Sequence, residues 1–110
     1  MANEDVVAIY GTFLWPIIAG YNAGKQLNRN LRIYGIDADE ALVELMEQGD
    51  MIQGLHAQFA SANAYHSLFL LLRALGGEKI PYETAEAEAY AMLYVTKKDA
   101  PLIKKLLFNR

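Results

Sequence analysis

The chain has 110 residues, a net charge of −3 and no cysteine. That length suits one domain with a core of its own; the missing cysteines exclude a disulfide framework and thiolate chemistry, and the acidic balance argues against a nucleic-acid binder. Hydrophobic residues make up 54%, above the roughly 45–50% of ordinary soluble domains even with glycine counted, so apolar surface is expected beyond what a core needs.

The first segment, 4–34, reads as a helix. Asn3 is placed to cap it, with Glu4 and Asp5 in the first turn, where the helix dipole favours acids. Pro16 removes a backbone donor and predicts a kink or break near 13–15. Gly20, Gly24, Leu27, Leu31 and Tyr34 then fall at 4-3-4-3 spacing on one face, and Gly35 suits the residue after a helix end. Val6 to Gly24 carry no charge, a run near the length of a membrane span. It holds Thr12, Pro16, Asn22, three glycines and two tyrosines, so a core or interface helix is the expectation and a membrane contact the alternative. A chain opening on Glu4 and Asp5 lacks the basic start of a secretory signal.

Asp37 opens the second segment, with Asp37–Glu40 in a capping-box pattern and Leu42, Leu45 and Met46 as its apolar stripe. Gln48, Gly49 and Asp50 break it. The third helix is expected over 51–75, on a heptad-like stripe of Met51, Leu55, Ala62, Tyr65, Phe69 and Leu72. Gly76 and Gly77 end it. A fourth is expected over 82–96, where alternating Ala and Glu favour helix on propensity. Asp99, Ala100 and Pro101 then cap a short last helix carrying Leu102, Ile103, Leu106, Leu107 and Phe108. Short connections favour antiparallel neighbours. These features predict one all-α domain over 1–110, a compact bundle of four to five helices with the first kinked or broken near Pro16.

Candidate sites are few. His56 and His66, ten apart on one expected helix, do not share a face and fit no helical metal motif. Asp37, Asp39, Glu40, Glu44, Glu47 and Asp50 follow helical rather than EF-hand spacing and read as a solvated face. Lys97, Lys98, Lys104, Lys105 and Arg110 make the C-terminus basic, which suits a helix end or a meeting with that acidic block. Gly20 and Gly24 mark close helix packing, and Gly20–Lys25 is no phosphate loop. Local catalytic signatures are absent. The expected function is therefore a non-enzymatic protein–protein interaction, as an oligomerising adaptor or small assembly subunit. No metal or cofactor is expected, and the partner is a protein or a second copy. The expected surface is Tyr10, Phe13, Trp15 and Tyr21 on the first helix, with Leu102, Ile103, Leu106 and Phe108 on the last. A cytoplasmic location is expected, with membrane association as the alternative. A further alternative is an apolar-ligand or cofactor pocket near Phe59, Tyr65 and His66.

Overall fold

In the computed structural model, residues 4–83 and 92–109 are described. They alternate strand and helix: β1 (Ala8–Gly11), α1 (Leu14–Gln26), β2 (Arg32–Ile36), α2 (Glu40–Gln48), β3 (Ile52–Gln58), α3 (Ala60–Leu75), β4 (Met92–Val95), a 3-10 turn (Lys97–Asp99) and α4 (Ala100–Phe108). The strands form one mixed sheet in the order β1-β2-β3-β4. β1 pairs with β2 in parallel, and β2 with β3, with a register irregularity between Ile33 and Tyr34. The protein is thus α/β, and the expectation of an all-α bundle is overturned.

The physical reason lies in the short apolar runs. Positions four apart lie on one side of both a helix and a strand. Met51 and Leu55 therefore continued the helical stripe of 62–72, although Ile52–Gln58 is a strand. The segment 4–34 is not one helix but β1, α1 and β2. Gly35, expected to end a helix, lies inside β2. Pro16 kinks nothing: it sits in the first turn of α1, where backbone N–H groups have no intrahelical acceptor. Asp39, not Asp37, caps α2, its Oδ1 accepting from the Ala41 N–H at 2.9 Å. The helix expected over 82–96 lies mainly outside the described residues, and its described end, Met92–Val95, is strand.

Contacts divide the chain into two compact units, Met1–Ala57 with Tyr94–Arg110, and Gln58–Leu93. In the first, α1 packs against β1 and β2, and α2 against α4. The core between these helices and the sheet is formed by Ile17, Ile33, Leu42, Val43, Met46, Ile52, Leu55, Val95 and Ile103, all fully or almost fully buried. Two glycines, Gly11 and Gly35, stand opposite each other in β1 and β2. A Cβ on Gly35 would lie 2.7 Å from the Gly11 carbonyl oxygen and collide with the end of Ile17. The paired glycines thus form the seat into which Ile17 fits, and α1 approaches the sheet closely there.

The second unit contains α3. The helix ends at Gly76, followed by Gly77 at φ 91°, a left-handed position that glycine fills without strain. Just beyond, Glu78 accepts a hydrogen bond from Arg73 Nε at 2.8 Å. That bond is the main reason the Glu78 carboxyl titrates below its ordinary value.

Candidate ligand-binding site at the carboxyl ends of the strands

Parallel strands send their carboxyl ends to one edge, and α/β sheets characteristically bind ligands in the loops there. Gly11 and Gly35 are cross-strand partners. The loops that leave β1 and β2 therefore start side by side, about one strand spacing, roughly 4.8 Å, apart. The first supplies Thr12 and Phe13, and the first turn of α1 that follows it supplies Trp15; all three are exposed, Trp15 to 69%. The second supplies Asp37, half-buried between Ile36 and the buried Ala38.

Asp37 has φ 108°, in the left-handed region that few non-glycine residues enter. Its N–H donates to the His56 carbonyl at 3.0 Å, so pairing with β3 continues past the end of β2 and fixes this conformation. Strain of this kind costs about 1–3 kcal/mol and gathers at functional sites. The cap of α2 is already supplied by Asp39. Among the described residues, the Asp37 carboxylate has no hydrogen-bond or ion-pair partner. A carboxylate is thus held on a strained backbone, in a loop that starts beside the one carrying the exposed Phe13.

The sheet face turned away from α1 carries aromatic residues. Tyr10 of β1 is paired in register with Tyr34 of β2, and Tyr34 with Gly54 of β3. The ring of Tyr94 lies across Gly54, where a Cβ would meet its Cε2 at 2.6 Å. Tyr94 also contacts His56, with ring centroids 5.2 Å apart.

The eight residues expected to form interaction surfaces on the first and last helices are distributed over β1, the loop after it, α1 and α4. Tyr10, Phe13 and Trp15 lie exposed in and just after β1. Tyr21 and Phe108 pack against the core and Ile103 is part of it, whereas Leu102 and Leu106 are exposed on α4. His56 is on β3 and His66 on α3, and the described residues contain no cluster of three or more metal-ligating side chains. Tyr65 is exposed and meets His66 edge-on at 5.9 Å. Gly20 and Gly24 pack α1 onto its neighbours: a Cβ would lie 3.1 Å from Ile9 Cδ1 at Gly20, and 2.9 Å from Met51 Sδ at Gly24. The basic C-terminus meets the acidic block within the chain, through Lys104–Glu47 and, at 3.3 Å, Lys97–Asp50. The hydrogen bond to Glu47 is the leading reason Lys104 titrates above its ordinary value. Two open concavities of about 440 and 430 Å³ share Gly49 and Asp50, at the amino end of β3 and thus opposite the site. In the larger, Arg29 is engaged by the Glu4 and Val6 carbonyl oxygens, an arrangement that anchors the N-terminal stretch.

Sequence reasoning missed the Asp37 site because it assigned Asp37 to a helix cap and Phe13 and Trp15 to a helix interior. The available signal was the repeated strand–loop–helix pattern, with an apolar run before each of Thr12 and Asp37.

No protein-family model matches the chain, and no curated protein sequence does. Solved structures do. The fold resembles part of a sugar-binding protein. GanP, a glucose-galactose binding protein from Geobacillus stearothermophilus, superposes with a TM-score of 0.73 at 22% identity, over 88% of this chain and 34% of its own. The sugar-binding protein of a sugar ABC transporter from Bacillus halodurans gives 0.66 at 23%, over 91% and 38%. The chain therefore spans about a third of the length of these structures, and the likeness establishes fold. It also removes the basis for the expected helical oligomerising adaptor: the fold is α/β, and these neighbours are sugar-binding proteins. Among the described residues, no helix is long and apolar enough to cross a membrane.

Proposed function

We propose that this chain contributes one wall of a carbohydrate-binding site, formed by the loops at the carboxyl ends of β1 and β2. The observation that carries this reading is Asp37. A carboxylate without a partner among the described residues, held at a strained backbone position, can accept hydrogen bonds from the hydroxyl groups of a sugar. Phe13 and Trp15 provide flat apolar faces for the C–H side of the ring, which completes the usual combination of aromatic lining with a few placed polar groups. The two solved neighbours support the ligand class. The proposed action is binding without chemical change, in keeping with the non-enzymatic expectation. A chain without cysteine folds in a reducing compartment as well as outside one, so the expected cytoplasmic placement is compatible with this reading.

Trp15 is the only tryptophan, and its fluorescence reports directly on the site. Titration with glucose and galactose is expected to give a saturable change with a Kd of about 1 mM, the affinity of a small contact area worth about 4 kcal/mol. Asp37→Asn keeps the shape and removes the charge, and is expected to weaken binding at least about tenfold. A Trp15 signal that is flat to saturating sugar, or that Asp37→Asn leaves unchanged, refutes the proposal.

A further inference from the structure

The helix α3 has its amphipathicity reversed. Leu70 is its one buried residue. On a helical projection at about 100° per residue, Tyr65, Leu68, Phe69, Leu71, Leu72 and Leu75 occupy an arc of about 160° centred opposite Leu70, and all six are 49–75% exposed. The polar Asn63, His66 and Arg73 lie toward the buried side instead. In water the apolar stripe of a helix faces a partner, and among the described residues of its own unit this stripe has none.

We infer that α3 pairs in antiparallel fashion with α3 of a second copy of this chain. Three features select a copy as the occupant. The exposed parts of the six side chains offer about 700 Å² on each chain, close to the roughly 800 Å² per partner of a standard interface. Tyr65, Leu68, Leu72 and Leu75 are spaced 3-4-3, the seam of a two-helix coiled contact. That seam is also symmetric about residue 70. When two copies cross antiparallel there, Leu68 meets Leu72 of the other chain and Tyr65 meets Leu75, so one patch is its own complement, as a two-fold interface requires. Charge does not oppose the pairing: the sole formal charge on α3 is Arg73, which lies off the seam and is bound to Glu78. The inference is independent of the proposed sugar site, which lies on other elements.

Sedimentation equilibrium of the full chain tests it. The 12.3 kDa chain is expected to sediment at twice that mass at tens of micromolar. Leu68→Glu with Leu72→Glu is expected to return it to the mass of one chain, raising the dissociation constant at least about a hundredfold with an unchanged circular dichroism spectrum, since both side chains are exposed. Cysteine pairing provides a second measurement that does not depend on those charges. The native chain has no cysteine, so a mixture of Leu68→Cys and Leu72→Cys chains should oxidise to a cross-linked pair faster than either variant alone. A wild-type chain that stays single up to millimolar concentration overturns the inference, and so does a dimer indifferent to the paired glutamates. Cross-linking that is fastest for Leu68→Cys alone overturns the antiparallel arrangement. A single chain that instead floats with phosphatidylcholine vesicles overturns the pairing in favour of a lipid surface.

Discussion

Substituting Gly35 by alanine tests the glycine seat beneath Ile17. The position has no positive φ. With free space around it, an alanine would therefore stabilise the chain by about 0.4–1 kcal/mol through the unfolded state. The space is occupied: the new Cβ would stand 2.7 Å from the Gly11 carbonyl oxygen and 2.7 Å from Ile17 Cγ1. Overpacking of this sort costs about 1–3 kcal/mol, and the upper end applies because a strand carbonyl, unlike a side chain, cannot rotate away. The expected net loss is about 2 kcal/mol. Urea unfolding followed by Trp15 fluorescence measures it, since Trp15 belongs to the unit in question; the midpoint should fall by about 1 M at a typical slope. Ile17→Ala should cost about 2–5 kcal/mol alone by opening a cavity. Combined with Gly35→Ala, however, it removes one of the two obstacles, so the double variant should be more stable than the sum of the single losses by about 1 kcal/mol. A Gly35→Ala loss below about 0.5 kcal/mol, or strict additivity with Ile17→Ala, refutes the close-approach account.

Asp37→Gly should relieve the strained backbone and raise stability by about 1 kcal/mol while abolishing the sugar-dependent Trp15 signal, so a urea midpoint that drops instead would show that Asp37 is not strained. The residues grouped on the last helix should separate, with Ile103→Ala costing about 2–5 kcal/mol in the same melts and Leu102→Ser no more than about 0.5, because the first is fully buried and the second exposed. Asp99 accepts from the Thr96 N–H and hydroxyl, each at 2.8 Å, and the backbone bond foremost holds its carboxyl below the ordinary 3.8. A lowered acid stabilises above its unfolded value and loses that contribution as pH falls through the folded one; an NMR titration of Asp99 should place its midpoint below 3.8, and Asp99→Asn should remove this component of acid sensitivity.

The end of the chain was the most legible part. Pro101 near the start of α4 and the break at Gly49 follow from local stereochemistry and hold in the structure. So does the α2 stripe, because a helix with Leu42, Leu45 and Met46 on one side has no competing strand reading. The sheet was not legible for the opposite reason. β1 and β4 have four residues each and β2 has five, too few for a period of two to stand out from a period of 3.6. Their glycines add to the ambiguity: Gly35 ends a helix and Gly54 sits inside one in a local reading, whereas here they leave room for Ile17 and Tyr94, contacts set by residues far away in sequence. The candidate site was hidden by the same misassignment, since Asp37 becomes conspicuous only when Ile36 is known to end a parallel strand.

The first unit is discontinuous in sequence: residues 1–57 are completed by 94–110. Val95, Ala100 and Ile103 fill the same core as Ile33 and Leu42. A nascent chain emerging from the ribosome therefore holds β1, β2 and β3 with this core incomplete until residues 94–110 have been made. Truncation before α4 should yield a polypeptide for chaperones and proteases rather than a shortened but working protein.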